Sequence, residues 1–314
     1  MSLDAGNRPL SGLALLRKPE GVTSFQALTP IKRALGSGKV GHAGTLDRFA
    51  RGLLVILTGS YARLAPYAMS GEKLYRGVVS FGSETDTLDP EGRVVATAPP
   101  PSERCLLEAL PAFRGAILQR PPAYSAVHVG GKRAYKIALE GGEPELKERR
   151  VVIRSLELIS YEGGEAMLEV RCSSGTYIRS LARDIASACG SRAHLIALDR
   201  LSIGPFRVED AVGPEAFDPA ADLRELRMGE AAALGLRALG LGDREAEKRF
   251  SNGGRIESDA FAVLDGGPSP LGSEAAVFGH GSKLLGVIRL EAEGPAYLVV
   301  IPRSAQAPSP GWPL

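Results

Sequence analysis

The chain has 314 residues, 44% hydrophobic and 24% charged, which is ordinary globular composition and long enough for one large domain or two. Three cysteines, an odd number at wide spacing, and four scattered histidines offer neither a disulfide framework nor a metal-ligand cluster. No apolar signal core or membrane-length run occurs, so a cytoplasmic protein in a reducing compartment, with no membrane contact, is expected.

The net charge of +2 says little until it is divided along the chain. Residues 13–68 hold eight basic side chains (Arg17, Lys18, Lys32, Arg33, Lys39, Arg48, Arg51, Arg63) against two acids, Glu20 and Asp47. From Asp210 onward, ten basic residues face fifteen acidic ones. A basic front part around a single carboxylate suits a polyanion such as nucleic acid.

In chain order, "LALLRKPEG" reads as a buried strand entering a Pro-Gly turn. Thr23 and Ser24 are N-cap candidates for the helix that follows; Pro30 should kink it or start a new segment, and Gly36 should stop it. The glycine-rich "GKVGHAGTLD" reads as a loop, "LLVILTG" as a strand, and "SYARLAPYA" as a short helix. "KLYRGVVSF" alternates as a strand should, and "TDTLDPEGRVV" turns into another. "SERCLLEALPAF" is a Ser-capped helix, and "YSAVHVGGKRAYKIALEGG" reads as strand, Gly-Gly turn and helix. "RRVVIRSLELISYEGGEAMLEVRCSSG" reads as a hairpin, with "GTYIRSLARDIASACG" as the helix after it. The expectation is an α+β domain on a largely antiparallel mixed sheet flanked by helices and loops. Beyond Gly213, "ALGLRALGLGDREAEKRFSNGGRI" reads as a helix ending in glycines. The strands "EAAVFGH", "KLLGVIRLEAEG" and "AYLVVIP" then resemble a small β-barrel, and "SAQAPSPGWPL" reads as a disordered tail.

The chemistry narrows by inventory. Hydrolysis of a glycoside needs two carboxylates, and the conspicuous segment "GHAGTLDRFARG" offers one, Asp47, among glycines and arginines. There is no nucleophile elbow, phosphate-binding loop or dinucleotide fingerprint. A lone carboxylate in a basic loop fits the breaking and remaking of a glycosidic bond within RNA. An arginine would keep that carboxylate ionised, and an aromatic ring would hold the base out of its stack.

Five ordered stretches carry a family resemblance: "KPEGVTSF", "GKVGHAGTLD", "EKLYRGVVSFGSETDTLDPEG", "QRPPAYSAVHVGGKRAYKIALEGG" and "CSSGTYIRSLARDIASACGSRAHLIALDRLSIGPF". Together they resemble the bacterial TruB family, which makes pseudouridine at position 55 of the tRNA T loop. The resemblance implies a pseudouridine synthase domain over 1–230, a PUA-like RNA-binding module over 231–304, and a tail over 305–314. It further implies a monomer that acts on the T stem-loop without metal or other cofactor. Asp47 corresponds to the catalytic nucleophile; attack at C6, attack at C1′ and a glycal route all stay open. His42 corresponds to the histidine inserted into the T loop. Tyr75 corresponds to the tyrosine stacked on the flipped base, which also assists removal of the C5 proton. Arg179 corresponds to the partner of the aspartate, and Tyr177 and Leu198 to substrate-lining positions. Lys18 and Pro19 match a motif that supports the active-site loop, and Lys18, Lys39, Arg48 and Arg51 are expected on the RNA backbone. Two departures stand out: Arg48 replaces a usual proline, and Asp199-Arg200 replaces a usual pair of basic residues. Within the same resemblance, an inactive RNA-binding protein or a synthase for another RNA are the competing readings.

Overall fold

The structure is a computed structural model and describes residues 11–36, 39–264 and 270–302. The chain divides into two compact units, one formed from 1–46, 52–71 and 203–314, the other from 47–51 and 72–202.

In the first unit, the strand Gly12–Lys18 pairs antiparallel with Arg51–Thr58, from Gly12 against Thr58 to Lys18 against Gly52. Gly52 to Thr58 are all buried, which is why "LLVIL" shows no polar alternation. Thr23 caps the short helix Ser24–Ala27 through a reciprocal pair: Gln26 N donates to Thr23 Oγ1 at 3.1 Å, and Thr23 N donates to Gln26 Oε1 at 2.8 Å. Pro30 then stands in the first turn of a second helix, Thr29–Leu35, where its missing N–H costs nothing, and Gly36 ends that helix at φ 69°. Both outcomes match the reading of the sequence.

The loop expected over "GKVGHAGTLD" does not hold throughout. Val40–Ala43 is a strand, antiparallel to Arg51–Thr58, with His42 opposite Ile56. Pairing to the buried stretch Val55–Thr58 outweighs the local cost of Gly41, a tertiary effect that propensity alone does not show.

The same unit holds a five-stranded sheet in the order Phe261–Val263, Arg237–Leu241, Glu274–Phe278, Leu284–Arg289, Ala296–Val300. Arg237–Leu241 and Glu274–Phe278 run parallel, and the other pairs are antiparallel. Leu239, Leu241, Phe250, Ile256, Val277, Leu285 and Ile288 form its core. The long helix expected from "ALGLRALGLGDREAEKRF" is two elements: the strand Arg237–Leu241, then the helix Arg244–Ser251. Asp243 starts that helix by accepting from Glu245 N and Ala246 N, so the cap lies inside the supposed helix. The expected tail over 305–314 lies outside the described residues.

The second unit is built on strands in the order Ala193–Ile203, Lys73–Phe81, Glu165–Cys172, Arg149–Glu162, Gly115–Gln119. The last three pairings are antiparallel. The helix Ile178–Ala188 follows the Arg149–Cys172 hairpin, as expected, whereas the strands Gly115–Gln119 and Ala193–Ile203 were not anticipated. Along Lys73–Phe81, every second residue is buried, so Lys73, Tyr75, Gly77, Val79 and Phe81 share the inner face. A side chain at Gly77 would press within 3.4 Å of Leu198 and within 3.2 Å of Leu195, so glycine there lets the neighbouring strand lie close.

Candidate active site

Asp47 opens the five-residue segment 47–51 of the second unit, and its carbonyl accepts from Ala50 N at 3.2 Å in a tight turn. On its N-terminal side, Ser24 Oγ both donates to Leu46 O at 3.0 Å and accepts from Leu46 N at 2.9 Å, tying down the backbone that leads into the aspartate. The carboxylate is 37% exposed, open enough to meet a substrate.

Arg179, in the first turn of the Ile178–Ala188 helix and 3% exposed, meets it from the protein side. Nη2 donates to Asp47 Oδ1 at 3.1 Å, and Nε lies 2.8 Å from Oδ2. The Nε–H is off the line to its acceptor, so Nε adds a charge contact and Nη2 the directed bond. The guanidinium is held in turn by Nη1 to Thr87 O at 2.7 Å, Nη1 to Asp89 Oδ2 at 3.2 Å, and Nη2 to Tyr124 O at 3.0 Å. A buried arginine with two carboxylates and two carbonyls around it has one orientation, and that orientation sets its positive charge against Asp47.

Asp89 was not singled out in the sequence, although it sits within the quoted "TDTLDPEG". Its side chain is 8% exposed; Oδ1 accepts from Thr87 Oγ1 at 2.5 Å and from Glu91 N at 3.1 Å, leaving Oδ2 for Arg179. The signal available was a turn holding two aspartates and two threonines, more than a simple reversal needs.

Tyr75 is buried on the inner face of its strand. Burial pushes its hydroxyl above the ordinary range; the charge and hydrogen bond of Arg200 pull the other way, and Asp47 adds a smaller upward push. A phenol kept neutral offers a ring and an O–H. Arg200 is itself 1% exposed, so one residue of the Asp199-Arg200 departure faces the interior beside Tyr75. Asp199, the other, accepts from Arg51 Nε at 3.0 Å.

Tyr177 stands at the N-cap position of the same helix, two residues before Arg179, without a side-chain cap bond, and the Arg149 guanidinium lies 4.6 Å over its ring. Leu198 is buried on the strand beside Tyr75. The segment 47–51 and residues 72–202 thus bring Asp47, Arg179, Tyr75, Tyr177 and Leu198 into one unit. Arg48 and Arg51 belong to it as well, both exposed; Arg48 Nε lies 3.7 Å from Glu91 Oε1. His42, half-buried on Val40–Ala43, and Lys39, exposed, belong to the other unit. Lys18 departs from expectation. It is fully buried and its Nζ donates to Pro19 O at 2.9 Å and Val22 O at 2.6 Å, so it braces the Pro-Gly turn and presents no charge to an RNA backbone. Among the described residues, no group of three or more His, Cys, Asp or Glu is placed to hold a metal ion, and no helix is long and apolar enough to cross a membrane.

The sequence profile described as TruB family pseudouridylate synthase (N terminal domain) matches residues 32–178. The tRNA pseudouridine synthase B of Borreliella afzelii (strain PKo) is 46% identical over 204 residues, 64% of this chain and 72% of the relative. This chain belongs to the TruB family. The tRNA pseudouridine synthase B of Bordetella avium (strain 197N), 44% identical over 219 residues, spans 68% of this chain and 90% of its own. TruB membership makes the chain an isomerase that converts uridine to pseudouridine. Two solved structures share the fold. The archaeal box H/ACA sRNP Nop10-Cbf5 complex gives a TM-score of 0.68 at 20% identity over 94% of this chain and 87% of that one. A Cbf5-Nop10-Gar1 complex gives 0.69 at 21% identity over 98% and 94%.

Proposed function

We propose that this tRNA pseudouridine synthase isomerises uridine 55 of the T loop, with Asp47 as the nucleophile. The observation that carries the reading is the grip of buried Arg179 on the half-open Asp47 carboxylate. The name shared by the curated relatives and the five ordered motifs support tRNA as the substrate.

In the reaction the N1–C1′ bond of uridine breaks and a C5–C1′ bond forms; C5 loses a proton and N1 gains one. Asp47 donates an electron pair to C6 of the uracil or to C1′ of the ribose, and the bond so formed breaks again as the C5–C1′ linkage is made. Neutral Tyr75 holds the flipped ring against the wall formed with Leu198. His42 meets the loop near the target, Tyr177 lines the pocket, and exposed Lys39, Arg48 and Arg51 meet phosphates. The same reading assigns catalysis to residues 1–230 and a PUA-like RNA-binding role to 231–304 in a cytoplasmic monomer. The five-stranded sheet within that second range supports it.

Asp47→Ala and Asp47→Asn should abolish pseudouridine formation on unmodified tRNA while affinity stays within about tenfold, because phosphate contacts dominate binding. Pseudouridine made by purified Asp47→Ala protein would remove the aspartate from this role. Product at another tRNA position would refute the choice of uridine 55.

A further inference from the structure

Gln119, the last residue of the Gly115–Gln119 strand, is completely buried. Its Nε2 donates to Tyr177 O at 3.1 Å and its Oε1 accepts from Tyr177 N at 2.8 Å. One amide thus occupies both main-chain groups of the residue two positions before Arg179. An amide in the opposite orientation would set donor against donor and acceptor against acceptor, so only one placement satisfies the pair.

The contact is not isolated. Arg120 O accepts from Ser180 Oγ at 2.8 Å and Tyr124 O accepts from Arg179 Nη2 at 3.0 Å. Residues 119–124 therefore grip Tyr177, Arg179 and Ser180, and Pro121 and Pro122 fix φ at two positions of the gripping segment. The first turn of the Ile178–Ala188 helix has no side-chain cap at Tyr177. Gln119 fixes the backbone there instead, from a neighbouring strand.

We propose that Gln119 is a positioning residue, setting the register of the Arg179 guanidinium against Asp47. The inference rests on the function proposed above. It concerns geometry: a displacement of about 1 Å at a reacting group costs on the order of a hundredfold in rate.

Two variants test it. Gln119→Glu, when protonated, reproduces both bonds, its O–H donating to Tyr177 O and its carbonyl accepting from Tyr177 N. When ionised, it sets a buried negative charge against that carbonyl. Burial raises the titration of the introduced carboxyl, against the opposing pull of Arg149, which stands opposite position 119 in the sheet. The ratio of variant to wild-type kcat on tRNA should therefore climb about tenfold or more between pH 9 and pH 6, with KM unchanged. Gln119→Leu should lose kcat at every pH, with tRNA affinity retained. Profiles of Gln119→Glu and wild type that run parallel overturn the inference at whatever level they lie, and this holds even where the leucine variant fails to fold. A wild-type chain inert on tRNA would overturn the proposed function as well; an active wild type with parallel profiles overturns the inference alone.

Discussion

At Lys73 the strand carries an ammonium onto the buried face of the sheet, opposite Cys172 in the register and 6% exposed. Burial and the nearby Arg200 charge lower its pKa from 10.5 to about 8, and burial pushes the Cys172 thiol up to about 11. Below pH 8 the fold carries the charged lysine at full cost. From about 8 to 10.5 the unfolded chain holds a proton that the folded chain has released, so this residue's contribution to stability improves as pH rises. The melting temperature of wild type relative to Lys73→Met should accordingly climb from pH 7 to pH 9.5; a constant difference would show a lysine that titrates alike in both states. The residues of the candidate site were legible for a different reason. Asp47 stood out as one acid among basic neighbours, and Arg179 and Tyr75 sat in spaced motifs. Asp89 was not, because its role depends on which of two aspartates in one turn faces inward. Lys18 was read as surface charge because a buried lysine that donates to two carbonyls looks, in sequence, like any other lysine.

At the scale of elements, the turn joining Ser83–Thr85 to Val94–Thr97 acts as a bracket for Arg179. Thr85 Oγ1 donates to Asp89 O at 2.8 Å, Asp86 N to Arg93 O at 3.0 Å, and Arg93 N to Asp86 Oδ1 at 2.9 Å. Leu88 takes a φ of 62°, a conformation a branched side chain rarely adopts, and its carbonyl accepts from Leu195 N at 3.1 Å. Gly92 closes the turn. A Cβ there would collide with Thr87 Oγ1, and would lie 2.5 Å from Asp86 Oδ1 and 2.9 Å from Thr87 N. Because Thr87 N is backbone, relief must move the carbonyl that Arg179 binds. Gly92→Ala should lower the melting temperature by about 2–6 °C, as overpacking of this kind does, and reduce kcat more than tRNA affinity. Unaltered kcat with a lowered melting point would confine the turn to stability. Elements bounded by caps and prolines were readable, from Thr23 and Pro30 to Ser102 ahead of Glu103–Ala109. Val40–Ala43 and Arg237–Leu241 were not, since both are short, glycine-containing strands stabilised by partners distant in sequence.

Across the whole molecule, charge is the property the sequence displays most directly and the structure qualifies most. The basic excess of residues 13–68 includes Lys18, which is buried, and Arg51, which bonds Asp199. Exposed Lys39 and paired Arg51 should then differ in titrations of tRNA against salt. Lys39→Ala should reduce the log–log slope by about one, and Arg51→Ala by less, because Asp199 already neutralises part of its charge. Equal reductions would mean that Asp199 releases Arg51 on binding. The α+β class was legible because strand and helix patterns were interspersed without regular alternation. The parallel pair in the C-terminal sheet was not, because the direction of pairing depends on the path between strands.

The environment of Arg179 has a consequence for turnover. Four of its N–H groups make directed bonds, and the fifth lies against Asp47, which leaves no donor to recognise RNA. With both aspartates ionised, the trio carries one net negative charge. On the proposed mechanism, a covalent bond at Asp47 discharges that carboxylate, and the trio becomes neutral. Asp89 is itself fixed by Thr87 and Glu91, so the buried guanidinium retains a second counter-ion and need not swing away when its first partner is consumed. The arginine can therefore remain stationary while the base beside it rotates.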